Sequence, residues 1–233
     1  MNQTDTIMFS DLHIGSEECN APEFLETVES WSFKQLIANG DLHEKRKPIN
    51  KEQFEIVNFL SKNREKVVII GGNHDPVENG ICRLTGIKKR REYRWNTAGK
   101  KCCARHGDGH GFDLFSWLFQ EESIDWAFSS FLYLLRKVKI GAVDLDYSIN
   151  GFHDGLSLRV AERAAIYAGR QGIDMMFCGH THFPMHHTFT AKNGKVIEYY
   201  NSGAWVGEIC TFVTLDAEGQ AQLHYATNQK SGP

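Results

Sequence analysis

The chain carries no CxxC pair, only five prolines, no uninterrupted apolar run of membrane length and almost no net charge. Each absence closes off a class of protein. The six cysteines, Cys19, Cys82, Cys102, Cys103, Cys178 and Cys210, form no even framework, so neither a disulfide-stapled scaffold nor a thiolate metal site is expected, and they read as reduced thiols. A formal charge of −3 provides no global basic field to draw the protein onto a polyanion, so any anion site must be local. The most apolar later stretch, WAFSSFLYLL at 126–135, is flanked by Glu121, Glu122, Asp125, Arg136 and Lys137 and has about half the ~20 residues that a membrane span needs. The opening MNQTDTIMFSD lacks a basic and then apolar leader, and the expectation is a cytoplasmic protein. The glycine-rich GDGHG at 107–111 has neither the Lys nor the Ser/Thr of a phosphate-binding P-loop and reads as a tight loop.

What is present is an alternation. Four short apolar runs each end in a polar cluster: TIMF into SDLH, VVII into GGNHD, KCCA into RHGDGH, and DMMF into CGHTH. A fifth, QLIA into NGDLHE, is less clearly a strand. Brief β-rich runs bounded by turn residues fit buried strands. Helical patterns lie between them. NKEQFEIVNFLSKNRE opens with Asn50 and Gln53 in capping-box spacing and places Phe54, Val57 and Leu60 on one face. SLRVAERAAIYAGRQG aligns Val160, Ala164 and Ala168, and Gly172 is placed to stop the helix. The reading is an α/β layered fold in a single domain, 1–233, with sites at the carboxyl ends of strands. Residues 112–149, dense in Phe and Trp, interrupt the alternation and read as a helical cap insertion. The sequence closes in antiparallel strands and a loose NQKSGP tail.

The polar clusters supply donors of one kind. Asp11 and His13 are two apart, so on a strand they point to one side. Asp41, Asn73, His106, His180 and His182 bring the set to seven oxygen and imidazole donors with no thiolate, a set suited to Mn²⁺, Fe or Zn²⁺. Seven exceed what one tetrahedral zinc takes, and a bridging carboxylate lets them serve two metals at roughly 3.5–4 Å.

The ordered series DLH, GDLHE, GGNHD, HGD, GHTH, from residue 11 to residue 182, resembles the calcineurin-like metallophosphoesterase superfamily. The resemblance implies a four-layer αββα sandwich. It implies one metal held by Asp11, His13, Asp41 and His182, and another by Asp41, Asn73, His106 and His180, with Mn²⁺ expected. His74 matches the histidine that faces the substrate phosphate, as general acid or as a stabilising charge, and Asp75 is the candidate to orient it or to hold the loop. The implied chemistry is attack of a metal-activated hydroxide on the phosphorus of a phosphodiester or pyrophosphate, in line with the leaving oxygen. Glu44 stands where many relatives carry a second aspartate and is expected behind the ligands, since Asp41 is the better placed bridge.

Within the superfamily the layout is similar to the UDP-2,3-diacylglucosamine hydrolases of lipid A synthesis, through GHTHFP, YYNSGAW and the aromatic insertion. Those hydrolases carry arginine at the position of His74. This branch implies a lipid-linked nucleotide substrate, Phe112 and Trp117 on a greasy wall beside the metals, and contact with the inner membrane surface through the cap. Lys45, Arg46 and Lys47, directly after the Asp41 motif, are candidates for a substrate phosphate. IKKRREYRW at 87–95 reads as a solvated face, and Cys178 as an apolar filler. His43, His153, His186, His187 and His224 read as surface or hydrogen-bonded core residues. Two other functions fit the sequence: a nucleotide or nucleic acid phosphodiesterase relying on basic loops, and an inactive binding scaffold of the same fold. No obligate protein partner is expected.

Overall fold

The computed structural model describes residues 2–45, 47–75, 80–110, 145–207 and 209–226, with side chains left aside at 110, 145–154 and 156. The expected cap, with Phe112 and Trp117, therefore lies outside the described residues except for 145–149, as do Arg46 and the tail.

Two sheets face each other. The first has strand order β11-β10-β1-β2-β3-β4, with β1 (Asn2–Phe9), β2 (Trp31–Asn39), β3 (Val67–Ile70) and the short β4 (Lys89–Arg90) parallel. β10 (Thr211–Leu215) and β11 (Ala221–Tyr225) run antiparallel on its other edge. The second sheet has the order β5-β6-β7-β9-β8. In it β6 (Lys100–Ala104), β7 (Met175–Cys178) and β9 (Val196–Asn201) are parallel, flanked by antiparallel β5 (Tyr93–Thr97) and β8 (Met185–Thr190).

Side-chain alternation along these strands makes the layers. Met8, Ile37, Ile70 and Val213 of the first sheet meet Cys102, Ala104, Met175, Phe177 and Tyr200 of the second in a core between them. On the outer face of the first sheet, Ile7, Phe9, Leu36, Ala38 and Ile69 pack under α1 (Ala21–Glu29), α2 (Lys51–Lys62) and α3 (Gly80–Thr85). Cys103, Met176, Cys178, Ile197 and Tyr199 do the same under α4 (Leu145–Gln171). Helix, sheet, sheet, helix is the four-layer order expected. α4 presents Ala161, Ala164, Ala165 and Ala168 to the sheet, small side chains that bring the helix close, and it ends at Gly172 with φ +69°.

α2 has its capping box. The Gln53 backbone N–H donates to Asn50 Oδ1 at 2.9 Å, and Asn50 N–H donates to Gln53 Oε1 at 3.3 Å. Its buried side is Gln53, Ile56, Val57 and Leu60, whereas Phe54, expected on that face, is 42% exposed. Gln53 occupies the core edge because it also serves the loop after β1: Gly15 N–H donates to its Oε1 at 3.1 Å and its Nε2 donates to Ser16 O at 2.7 Å.

This double duty predicts unequal costs. Asn50→Ala removes a cap and is expected to destabilise by about 1 kcal/mol. Gln53→Ala also strands two backbone groups of the loop that carries His13, and about 2–3 kcal/mol is expected. Urea unfolding of both variants checks the order, and equal costs would show that the loop contacts contribute nothing.

Candidate metal centre

The site is built at the carboxyl ends of five strands, two sheets' worth of loops on one rim. Beyond β1 and β2 the parallel ladder continues through the loops themselves. Asp11 N–H donates to Gly40 O at 3.0 Å, His13 N–H to Asp41 O at 2.9 Å and Ile14 N–H to Leu42 O at 3.0 Å. β6 and β7 extend likewise, with Arg105 N–H on Phe177 O at 3.0 Å and Gly179 N–H on His106 O at 2.8 Å. The donors are thus fixed by backbone hydrogen bonds before any side chain is considered.

That register has a conformational cost. Asp11, His13, Asp41, His180 and His182 all have φ between 46° and 71°, and among the described residues Ala98 is the sole other non-glycine with positive φ. Left-handed backbone at a non-glycine residue costs of order 1–3 kcal/mol and persists where the surroundings enforce it. Gly72 serves close approach instead, since a Cβ there would run into the Asp41 carboxylate and its backbone nitrogen.

Six of the seven expected donors come together in two groups, Asp11 with His13 and His182, and Asp41 with His106 and His180, the donor atoms of each within 4.8 Å of one another. A third group, His13, Glu44 and His74, adjoins the first through His13. Asn73 follows β3 and is exposed, with no hydrogen bond to its carboxamide among the described residues, so it is placed by its backbone alone.

Partners on the far side of each ring set the tautomers. His106 Nδ1–H donates to Asn39 O at 2.9 Å, leaving Nε2 facing Asp41 Oδ2 at 3.0 Å without hydrogen-bond geometry. His13 Nδ1 meets Glu44 Oε2 at 2.8 Å, and its Nε2 faces His182 Nε2 at 3.3 Å. Asp11 Oδ2 accepts the His180 backbone N–H at 2.9 Å, whereas Oδ1 faces His182 Nε2 at 3.1 Å and is left without a hydrogen bond. Buried groups are ordinarily hydrogen-bonded. Here Asp11 Oδ1 and His106 Nε2 are orphaned side by side with other donors, the pattern of ligands that await a cation. The residues therefore fit a divalent metal in each group.

The electrostatics agree. Burial works to raise Asp11, but His182 and His106 bring it down to about 2. Burial opposes ionisation of Asp41 too, and the facing His106 holds it well below the usual carboxylate range. The same carboxylates overcome burial at His106 and His182 and raise both imidazoles. Burial, reinforced by the His106 charge, lowers His180 to about 4, keeping it neutral and able to ligate.

Several other candidate residues lie around these donors. His74 N–H donates to Asp41 Oδ1 at 2.8 Å, and its ring Nδ1 lies 3.1 Å from Glu44 Oε1. Asp75, expected either to orient His74 or to hold the loop, is hydrogen-bonded through its carboxylate by His43 N–H at 3.0 Å and Gly72 N–H at 2.9 Å, which pins the Asp41 and Asn73 loops together. Glu44 is the carboxylate at the His74 ring, and the hydrogen bonds from His13 and His74 outweigh burial to bring it to about 2. Lys45 Nζ donates to Asn73 O at 2.7 Å, and Lys47 is exposed beside Gly15. His43 is neither a surface residue nor a bonded one, because both ring nitrogens are buried without a hydrogen-bond partner. Cys178 is buried and its thiol pushed up by burial, as a filler should be.

Two residues that sequence reasoning passed over hold the site. Asn39, within the NGDLHE cluster, accepts from His106 through its backbone carbonyl and ties Arg105 O and Phe177 O through Nδ2 at 3.1 and 3.2 Å. Asn201, in YYNSGAW, donates to Gly179 O at 2.7 Å and Thr181 Oγ1 at 3.1 Å, bracing the loop of His180 and His182. Their signal was position: each is a polar residue at the last place of a strand, directly after a buried apolar or aromatic stretch.

Comparison with known proteins places this geometry. Among solved structures, the phosphoesterase YfcE from E. coli aligns over 95% of this chain and 99% of its own, with a TM-score of 0.50 and 15% identity, a likeness of fold. Vps29 from Entamoeba histolytica, as a single mutant, aligns over 94% and 98% with a TM-score of 0.49 and 15% identity. A 5′-nucleotidase precursor from Thermus thermophilus aligns over 95% of this chain and 54% of its own, with a TM-score of 0.41 and 11% identity. No curated protein matches the sequence. No helix among the described residues is long and apolar enough to cross a membrane. The family model for calcineurin-like phosphoesterases matches residues 6–184, which span every donor from Asp11 to His182, and the chain belongs to that family.

Proposed function

We propose that the protein is a metal-dependent phosphoesterase that hydrolyses a phosphodiester or pyrophosphate bond at a dinuclear centre. The observation that carries this reading is the pair of adjacent donor groups, each with a buried, orphaned ligand atom. When bound, two divalent cations supply Lewis acidity toward phosphoryl oxygens and a source of hydroxide near neutral pH.

The chain's own residues prepare and hold that centre. Asp11, His13 and His182 would hold one ion and Asp41, His106 and His180 the other, with Asp41 shared and Asn73 completing the second set. Glu44 and Asn39 O keep the Nδ1 protons of His13 and His106, so both rings present Nε2. With Nδ1 of His74 at Glu44, Nε2 is the atom the ring offers to a substrate. A proton on that nitrogen serves either the leaving oxygen or the charge on the phosphoryl group. The lipid-linked form of this reading rests on the sequence resemblance, since the aromatic segment lies outside the described residues.

Asp41→Asn and His74→Gln separate the roles. Asp41→Asn is expected to lower bound Mn²⁺, read by elemental analysis, and to abolish turnover of bis-p-nitrophenyl phosphate. His74→Gln should keep the metal and lose roughly 10²–10⁴-fold in kcat. Full turnover by both variants would sink the assignment. Glu44→Gln touches a ligand and the substrate-facing ring together, so metal affinity and kcat should each fall by about 10–100-fold. A change in only one of them would show that Glu44 serves a single histidine. Phosphorus NMR of UDP-2,3-diacylglucosamine in detergent tests the lipid-linked substrate. UMP and a lipid monophosphate are the expected products, and an unchanged spectrum beside active diester hydrolysis would remove that substrate and keep the chemistry.

A further inference from the structure

A single peptide group at the rim, between Asn73 and His74, links an expected metal ligand to the histidine expected to face the substrate. The chain reaches it from β3 through Gly71 and Gly72, the residue type that restrains a backbone least. Asn73 has no hydrogen bond to its carboxamide among the described residues, so the peptide itself must aim that side chain.

Both ends of this peptide are held. His74 N–H donates to Asp41 Oδ1 at 2.8 Å, and the Asn73 carbonyl accepts from Lys45 Nζ at 2.7 Å. The two partners belong to one loop, so a single segment grips the peptide by its donor and by its acceptor. Because a peptide is planar, fixing both directions sets its plane and the angle at which the Asn73 and His74 side chains leave it. Both bonds are charge-assisted, one to a carboxylate and one from an ammonium, and such bonds are about twice as strong as neutral ones. They also act in the same sense. An ammonium on the carbonyl polarises the peptide and makes its N–H a better donor to Asp41.

The other tie between these loops works elsewhere. Asp75 takes His43 N–H and Gly72 N–H, which fixes where the loops meet and leaves the Asn73–His74 peptide to be set separately. Lys45 makes no ion pair among the described residues, since the carboxylate next to it, Glu44, is engaged by His13 and His74. Its ammonium serves the Asn73 carbonyl.

We infer that Lys45 is a positioning residue: with the Asp41 carboxylate it clamps the Asn73–His74 peptide, aiming Asn73 at the second metal and His74 at the substrate. This rests on the proposed dinuclear reading and adds to it a residue that acts through the backbone of two others.

The test compares the full-length wild type with Lys45→Met, which keeps the unbranched stem and removes the ammonium, and with Lys51→Met, which removes the same charge from the exposed start of α2. In the metal-free proteins, amide exchange followed by NMR should be roughly tenfold faster at His74 in Lys45→Met than in the other two. Calorimetric titration with Mn²⁺ should show one ion bound as in the wild type and the second weakened by roughly tenfold. With both sites saturated, kcat on bis-p-nitrophenyl phosphate should fall while KM stays the same. Unchanged His74 exchange in Lys45→Met would overturn the inference, and so would equal weakening of both ions. A raised KM at unchanged metal affinity would overturn it as well, and would put the ammonium on a substrate phosphate. Amide exchange requires neither metal nor turnover, so failure of the dinuclear reading leaves the clamp separately readable.

Discussion

Two carboxylates, Asp11 and Asp41, are buried at the ends of adjacent parallel strands, and the organisation of the rim follows from keeping both of them charged. Two anions in a low-dielectric setting repel each other and resist ionisation. Here each is answered twice, by a backbone N–H from the loop opposite and by imidazoles: His180 N–H and His182 for Asp11, His74 N–H and His106 for Asp41. The backbone donor comes from a neighbouring ligand loop in both cases, so each carboxylate orders the segment that carries the next donor.

The loops satisfy this demand only by leaving ordinary backbone conformations. Extending the strand ladder past Phe9 and Asn39 while turning side chains toward one rim requires positive φ at Asp11, His13 and Asp41, and the same is true of His180 and His182 beyond β7. Asp and His tolerate this region better than β-branched residues do. The choice of residue at these positions therefore satisfies coordination chemistry and backbone geometry together.

The strands and the donors were legible because their signals are local. An apolar run that stops at an oxygen or imidazole donor announces both a strand and its site. Strand pairing carries no such mark: β9 inserts between β7 and β8, whereas β10 crosses to pair with β1 in the other sheet, and both read equally as closing antiparallel strands. β2 was faint because Lys34 and Gln35 interrupt its apolar run. Phe54 misled for a similar reason. A glutamine, Gln53, took the inner position that periodicity assigned to the aromatic, because two loop backbone groups needed it. At the site, residue types pointed to the candidate donors and to Glu44 behind them, whereas Asn39 acts through its backbone carbonyl, and nothing in its identity distinguishes an orienting group from a bystander.

The division of donors between the sheets has a mechanical consequence. Asp11, His13 and Asp41 belong to loops of the first sheet, and His106, His180 and His182 to loops of the second, whose faces are otherwise joined through the apolar core of Met8, Ile37, Phe177 and Tyr200. The Asp11 group and the Asp41 group each draw from both sheets. A cation bound in either group is therefore a cross-link between the layers, in the manner of a rivet through two plates. Separation of the sheets dissolves both ligand sets at once, so metal concentration adds directly to the free energy that keeps the sandwich closed.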